Sequence, residues 1–359
     1  PLFHKPIICI YFITLLVFNS KQFINKQGGI MKFTKIIIAT ISLLFLASVA
    51  KSEDDVKLRL NWMYYGSHAG FAHGFVTGIY EKYGIDLDIR SGNGSSSAHR
   101  LVANGDSDFS YGSCGAMVDL ASKGAPVKSV GVIDAMGTEA VLVRPDAGVS
   151  SIQDLKGKEI LTTANAGVNT FFPIVLANAG LSESDINITV VPDGALVSSY
   201  LEGSGGSVGI LGGLDDKPAE IKANGGDQPV AFPYSDFGVN QVGYCVATHT
   251  DTIKNNPDLV KRFVQATMEA YAEAEANPDA AVDAMADIVG GSFAEDAGKQ
   301  QAREVLDVTL GILYSNANTD KVLGLNVESD WEGMVKLMKE YNDLDAGANA
   351  ADFYTNDFL

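Results

Sequence analysis

Residues 56–90, VKLRLNWMYYGSHAGFAHGFVTGIYEKYGIDLDIR, contain two strand patterns around one helix pattern. Val56–Asn61 alternates apolar and polar residues as a half-buried strand does, and Ile85–Arg90 repeats the alternation. His73–Tyr83, between them, is predicted to be a helix. The rhythm continues with a helix at Ser95–Ala103, a strand at Asp108–Tyr111, a helix at Ala116–Lys123 and a strand at Val127–Ile133. This βαβαβ order predicts an α/β fold with a largely parallel sheet.

A second set of alternating elements follows the first. Its predicted strands are Ala140–Arg144, Glu159–Thr163, Ile188–Val191, Val208–Leu211, Pro229–Phe232 and Gly243–Thr248. Its predicted helices are Ile152–Leu155, Asn169–Asn178 and Leu196–Glu202. We therefore expect two α/β lobes, with residues 53–144 and 244–359 in lobe 1 and residues 145–243 in lobe 2. Crossing strands are expected to join the lobes, and ligands of such sheets bind in the crevice at the carboxyl ends of the strands.

The last third of the chain is predicted to be helical and to pack on lobe 1. Asn256 is a suitable N-cap, and Pro257 occupies the first helical position. The residues predicted to face the core, at helical spacing, are Leu259, Val260, Phe263, Thr267, Ala270, Tyr271 and Ala274. Two further helices are expected near residues 295–313 and 329–342.

The N-terminal segment has the pattern of a secretory signal peptide. The first Met is Met31, and after it come the basic start MKFTK, an apolar run and small residues near Ala50. We expect residues 31–52 to be this signal and residues 1–30 to be upstream, non-native sequence. The apolar run Ile7–Phe18 is too short for a membrane span, which needs roughly 20 residues. No Cys follows the signal run to carry a lipid, so we expect the mature protein to be free in the periplasm.

Charge excludes two classes of partner. The chain has 26 Lys and Arg against 44 Asp and Glu, and six Lys but no acid precede residue 53, so residues 53–359 carry a net charge of −24. A surface of this sign repels nucleic acid and anionic membrane. Cys114 and Cys245 could form one disulfide, but buried free thiols are the expected state. The His residues show no metal-ligand spacing, and no metal or cofactor is predicted.

Candidate ligand contacts follow the predicted strands directly, where an α/β sheet binds its ligands. They are Trp62, Tyr64, Tyr65, His68, Ser113, Cys114, Thr163, Asn165, Asn169, Asp215 and Asp216. The aromatic rings suit a flat heterocycle or a small apolar ligand, and the polar groups suit directed hydrogen bonds. Each has a structural alternative, namely core packing for the aromatics, a buried structural His68, and helix capping for the small polar residues. Residues 92–97 precede a predicted helix and have two interpretations. Their amides and hydroxyls contact an anion, or their serines cap the helix.

Asp215 and Asp216 indicate the ligand class. A carboxylate in the cleft favours a cationic or amino-bearing ligand and disfavours sulfonate or nitrate. The alternative is that both acids cap the helix that begins at Pro218 and complement its dipole. Asp134 and Glu139 are further candidates of the same kind.

Short motifs along residues 56–359 carry a family resemblance. They are Asn61-Trp62 followed by His68, Gly78-Ile79-Tyr80, Tyr83–Leu87, Gly105–Phe109, Asp154–Lys158, Asn256–Phe263 and Phe353–Leu359. In this order they resemble the family that contains the pyrimidine-precursor, sulfonate, taurine and nitrate binding proteins of ABC importers. The resemblance implies a type II periplasmic-binding-protein fold, with a hinge and a ligand cleft between its two lobes, and ligand contact at the Ser113–Cys114 turn. We expect a monomer whose partner is an ABC permease.

The Asn-Trp and His68 pattern and the tail look most like the thiamine-pyrimidine branch, which implies an aminopyrimidine precursor as ligand. Taurine, alkanesulfonate or nitrate is the alternative within the same fold. A sensory binding subunit and a pyrimidine synthase are the alternatives of other classes. Related synthases use a Cys-rich segment that this sequence lacks, since Cys245 stands alone in Tyr244-Cys245-Val246. No dinucleotide motif or metal set is present, and we expect a binding protein without catalytic residues.

Overall fold

The computed structural model describes residues 53–359. The strands of this part are β1 Asp54–Arg59, β2 Ile85–Arg90, β3 Phe109–Ser113, β4 Val127–Asp134, β5 Glu139–Val143, β6 Glu159–Thr163, β7 Asn187–Val191, β8 Ser207–Gly213, β9 Val230–Pro233 and β10 Tyr244–His249. The helices are α1 Ala69–Val76, α2 Ile79–Lys82, α3 Ser95–Ala103, α4 Cys114–Ser122, α5 Phe172–Asn178, α6 Leu196–Glu202, α7 Lys217–Ala223, α8 Thr250–Asn255, α9 Pro257–Ala276, α10 Pro278–Val289, α11 Asp296–Gly311 and α12 Glu328–Tyr341.

The strands form two five-stranded sheets with matching topology. The first has the order β2-β1-β3-β10-β4, and the second has the order β7-β6-β8-β5-β9. In the first, β1 is parallel to β2 and β3, but β10 is antiparallel to both of its neighbours. In the second, β6 is parallel to β7 and β8, but β5 is antiparallel to both of its neighbours. The sheets are therefore mixed, because β5 and β10 enter from the other lobe and run against the strands beside them.

Two crossing segments connect the sheets, at residues 135–138 and 234–243. They run side by side, and the Gly137 amide donates to the Gln241 carbonyl over 3.2 Å. A Cβ at Gly243 would lie 2.5 Å from the Met136 carbonyl oxygen, so only glycine fits there. The division predicted at residues 144/145 leaves β5 with lobe 1, whereas β5 pairs with β8 and β9. The first crossing thus precedes β5.

The C-terminal helices have the amphipathic character that the sequence predicts. The Asn256 side chain accepts from the Leu259 amide over 3.4 Å, which confirms the predicted cap of α9. All seven residues predicted to face the core on this helix are buried. One of them, Phe263, stacks on Phe109 of β3 with 3.8 Å between ring centroids. This contact fixes α9 against the first sheet.

Two helical predictions need correction. The helix predicted at His73–Tyr83 is divided into α1 and α2, because Gly78 adopts a φ of 77° between them. Helix α10 is not among the predicted helices, although Asn277 caps it and Pro278 begins it, as in α9.

The tail motif lies along β4, where the Ser129 amide donates to the Phe353 carbonyl over 2.9 Å.

The predictions for residues 1–52 lie outside the described residues. Within residues 53–359, the helices are too short or too polar to cross a bilayer. Cys114 and Cys245 are buried free thiols, as expected from the sequence.

Candidate ligand-binding cleft

A cavity of about 50 Å³ lies between the lobes, and we call it the inner cavity. Lobe 1 contributes the segment after β1, with Asn61, Trp62 and Tyr65, and the first residue of β10, Tyr244. Lobe 2 contributes Thr163 and the turn at 166–168 after β6, and residues 211–213 and 215–217 at the end of β8. The strands of both sheets therefore direct their ends at one space, as the sequence predicts.

A larger cavity of about 200 Å³, the outer cavity, adjoins the first. The two cavities share Trp62, Tyr65, Asp216 and Lys217 as walls. The other walls of the outer cavity include Met63 and side chains of α11 and of the turn before it. The shared residues make the two cavities neighbouring compartments of one cleft.

The three predicted aromatic contacts have different positions. Trp62 and Tyr65 line both cavities. Tyr64 lines the outer cavity, and its hydroxyl donates to the Ile89 carbonyl over 2.9 Å. Of the three predicted aromatic contacts, Trp62 and Tyr65 are therefore the two placed to contact a ligand in the inner cavity, which Tyr244 also lines.

His68 is buried behind these aromatics and lines neither cavity. Its Nε2 lies 2.8 Å from Asn61 Oδ1, and Asn61 Nδ2 donates to the Tyr65 hydroxyl over 3.3 Å. The Tyr65 amide lies 3.4 Å from His68 Nδ1. Burial lowers the pKa of His68 to about 3, so the ring is neutral and can donate through Nε2. His68 thus orients Asn61 and Tyr65.

Ser113 and Cys114 lie at the lobe interface but outside both cavities. Ser113 Oγ accepts from the Ala116 amide over 3.5 Å and caps α4. The Cys114 amide donates to the Gly243 carbonyl over 2.8 Å. Gly167 of lobe 2 approaches this turn so closely that a Cβ there would lie 2.7 Å from Ser113 Cβ. The turn supplies a close contact between the lobes.

Of the predicted polar contacts after β6, Thr163 lines the inner cavity. Its Oγ1 is buried without a hydrogen-bond partner in the described part of the chain. Asn169 is engaged locally, since it accepts from Thr162 Oγ1 over 2.6 Å and donates to the Thr163 carbonyl over 2.9 Å. The Asn165 carbonyl accepts from the Ser96 amide of lobe 1 over 3.3 Å. Asn165 therefore joins the lobes, and Thr163 keeps a free hydroxyl for a ligand.

The glycine- and serine-rich turn at residues 92–97 differs from its capping interpretation. The N-cap position of α3 is Gly94, with a φ of 123°, and no side chain caps the helix. Ser95 lines the inner cavity instead.

Asp215 and Asp216 both line the inner cavity, and Asp216 also lines the outer one. Asp215 accepts a hydrogen bond over 2.6 Å from Oγ1 of Thr138, which belongs to the first crossing. Burial, followed by the nearby Asp216 charge, raises the pKa of Asp215 to about 7. Asp216 is the N-cap residue of α7, but its carboxylate does not cap the helix and pairs with Lys217 at 2.9 Å. Asp216 thus occupies the N-cap position predicted by the capping alternative, but it makes no side-chain cap hydrogen bond.

Lys217 is a cleft residue that the sequence analysis did not identify. Its ammonium lies 2.9 Å from Asp216, 2.6 Å from Glu220 and 5.4 Å from the centroid of the Trp62 ring. Burial lowers the pKa of Lys217, but the two carboxylates outweigh burial and raise it above its ordinary value. The available signal was its position between Asp216 and Pro218 in the turn after β8.

Further carboxyls lie beside the crossings. Asp134 Oδ2 accepts from the Tyr111 hydroxyl over 2.9 Å, while its Oδ1 has no partner in residues 53–359. Burial and then the Asp215 charge raise the pKa of Asp134 well above its usual range. Burial raises the pKa of Glu139 to about 6. Asp134 and Glu139 line neither cavity, and the acidic side chains that line the inner cavity in this part of the chain are Asp215 and Asp216. No three His, Cys, Asp or Glu residues among residues 53–359 are placed to hold a metal ion.

The two lobes, the paired crossings and the cleft define a type II periplasmic-binding-protein fold. The alkanesulfonate-binding protein SsuA from Xanthomonas axonopodis pv. citri has this arrangement, with a TM-score of 0.65 at 15% identity, over 85% of this chain and 99% of that one. The family model described as NMT1/THI5 like matches residues 66–281. The chain belongs to this family, which confirms the resemblance carried by the sequence motifs.

Two curated relatives are more similar in sequence. A protein of Brucella abortus, described by its name only as a binding protein, is 26% identical over 263 residues, which are 70% of this chain and 77% of that protein. The riboflavin-binding protein RibY of Chloroflexus aurantiacus is 25% identical over 239 residues, which are 66% of each chain.

Proposed function

We propose that this protein is the solute-binding subunit of an ABC importer, and that it works in the periplasm without catalysing a reaction. We propose further that its ligand is a small amino-bearing heterocycle, best represented by an aminopyrimidine precursor of thiamine. The observation that carries this choice is the pairing of carboxyls and aromatic rings across one cavity. Asp215 and Asp216 of lobe 2 face Trp62 and Tyr65 of lobe 1.

This arrangement suits an amino-substituted ring. A carboxylate accepts hydrogen bonds from an exocyclic amino group or a protonated ring nitrogen, and an aromatic side chain stacks on the ring. Thr163 Oγ1 adds a hydroxyl without a partner among the described residues. A ligand held by both lobes stabilises the closed form relative to the open one, which is the state a permease would recognise.

The pairing of the cleft lysine with two carboxylates argues against an anionic ligand. Lys217 is the only basic residue that lines either cavity within residues 53–359, and it already pairs with Asp216 and Glu220. A sulfonate or nitrate would therefore meet a cation that two carboxylates have neutralised. The similarity to an alkanesulfonate-binding protein keeps this ligand class as the second candidate.

A thermal-shift screen followed by calorimetry tests the proposal. The purified protein is combined with a hydroxymethyl aminopyrimidine, taurine, an alkanesulfonate or nitrate. A ligand at about 100 times its dissociation constant adds roughly 2.7 kcal/mol to the free energy of unfolding, which is readily measured. We expect a shift with the aminopyrimidine alone.

The matched variants are Asp216→Asn, which removes a cleft carboxylate, and Asp146→Asn, which removes an exposed one. The first is expected to abolish the aminopyrimidine shift and the second to leave it. A shift with sulfonates and none with the aminopyrimidine would refute the ligand assignment.

A further inference from the structure

The outer cavity is about four times as large as the inner one, at about 200 Å³ against about 50 Å³. A single small ring held at Asp215 leaves most of the outer cavity unfilled. Yet the Trp62 side chain forms a wall of both cavities, so one ligand can contact this ring on both sides of the boundary. The cleft therefore offers more space than the proposed ligand needs.

The walls of the outer cavity are largely apolar and fixed by close backbone packing. Met63 and Phe293 supply large apolar side chains, and Val305 of α11 is buried beneath. A Cβ at Gly66 would lie 2.1 Å from the Ala302 carbonyl oxygen, so the segment after β1 rests directly on α11. Such a surface suits a flat ring, since an aromatic group gains from burial against rigid apolar walls.

The polar rim of this cavity selects by charge. Asp216 and Glu220 stand at the rim, and Lys217 between them is paired with both. A negatively charged group placed here would meet two carboxylates and no unpaired cation among the residues that line the cavity. An uncharged or cationic ring meets no such repulsion and can pack against the Trp62 side chain.

We propose that the outer cavity is a second subsite, and that the solute has two parts. An amino-bearing ring occupies the inner cavity, and a flat ring without negative charge occupies the outer cavity beside Trp62. This inference rests on the proposed function, because it extends the same ligand from one cavity into the next.

Calorimetry with three probes tests the second subsite. The probes are a hydroxymethyl aminopyrimidine, thiamine, which adds a cationic ring to that head, and thiamine monophosphate, which adds negative charge. Thiamine is expected to bind at least about tenfold more tightly than the head alone, from the area the second ring buries. Thiamine monophosphate is expected to lose that gain.

Two tryptophan variants on α11 provide the structural control. Gln301 lines the outer cavity, so Gln301→Trp fills it, whereas the neighbouring exposed Gln300 does not line it. Gln301→Trp is expected to weaken thiamine binding by about tenfold and leave binding of the head unchanged. Gln300→Trp is expected to change neither.

The two proposals fail in different ways. If the head binds but thiamine binds no more tightly, or if Gln301→Trp affects both probes equally, the second subsite is refuted and the proposed function stands. If neither the aminopyrimidine head nor thiamine binds, while taurine or an alkanesulfonate does, both proposals are refuted.

Discussion

The ammonium of Lys217 lies 5.4 Å from the centroid of the Trp62 ring, and this contact joins lobe 2 to lobe 1 across the cleft. Both residues form walls of the inner and the outer cavity. Because the ammonium is also paired with Asp216 and Glu220, its charge is balanced inside the protein. The pair therefore marks the boundary between the two compartments and holds the lobes together there.

Replacement of this ammonium should destabilise the fold. Lys217→Met leaves Asp216 and Glu220 without their cation, and breaking a buried ion pair from one side costs about 3–5 kcal/mol. Glu220 is partly exposed, so we expect a loss at or below the lower end of that range. Urea unfolding of the variant measures it.

The control lies on the same helix. Lys222 pairs with Glu304 at 3.5 Å, and its side chain is 66% exposed. Lys222→Met is expected to cost no more than about 1 kcal/mol, as for other surface ion pairs. Equal losses for the two variants would show that the Lys217 pairing contributes no more to the free energy of unfolding than a surface ion pair does.

A methyl group at Gly167 should oppose closure without damaging either lobe. Its Cβ would lie 2.7 Å from Ser113 Cβ of lobe 1, a separation that forces a shift, and this glycine does not have a positive φ. Gly167→Ala is therefore expected to favour the open form and to lower ligand affinity about tenfold. Calorimetry measures the affinity, and small-angle scattering with ligand measures the radius of gyration, which should rise.

Gly194→Ala is the matched control in lobe 2, because a Cβ there would meet nothing within 4 Å. It is expected to preserve both affinity and shape. If the Gly167→Ala variant closes and binds ligand as this control does, the contact at Ser113 accommodates a methyl group without opening the lobes.

Asp215 should make stability decrease as pH rises. Burial, followed by the Asp216 charge, raises its folded-state pKa from 3.8 to about 7. The folded protein therefore holds a proton between these values that the unfolded chain releases. The resulting stabilisation is complete below about pH 4 and is lost as pH rises to about 7, at up to about 1.4 kcal/mol per pH unit.

Asp215→Asn removes this titration. The free energy of unfolding of the variant and of the wild type is measured in urea from pH 4 to 8. The value for the variant should increase relative to the wild-type value as pH rises. Asp146→Asn, at an exposed carboxylate, should follow the wild-type curve. A constant difference between Asp215→Asn and the wild type at every pH would contradict the assignment.

His68 should act in the opposite direction. Burial lowers its folded-state pKa from 6.5 to about 3, so the unfolded chain binds the extra proton between these values. The contribution of the neutral His68 ring to the free energy of unfolding is therefore complete above about pH 6.5 and is lost as pH falls toward 3. The cost of His68→Gln should therefore shrink between pH 7 and 4.5. Parallel unfolding curves for wild type and variant would exclude a buried neutral ring.

The sequence by itself determined the local elements. Ile85–Arg90 is a strand and a helix begins at Pro257, as predicted, because period-two alternation and the Asn-Pro cap act between near neighbours. It also placed Trp62, Tyr65, Thr163 and the two acids at strand ends, where the inner cavity lies. Those positions follow from the rule that an α/β sheet binds at the carboxyl ends of its strands.

Only the tertiary structure decided which of these side chains share a space. It turned His68 away from the cavities toward Asn61, used Asp216 as an ion-pair partner, and set Lys217 over Trp62. It also reversed β5 and β10 within their sheets. The physical reason is that these outcomes depend on packing between residues far apart in the chain, to which local periodicity is insensitive. Burial then fixes the protonation of the groups that this packing encloses.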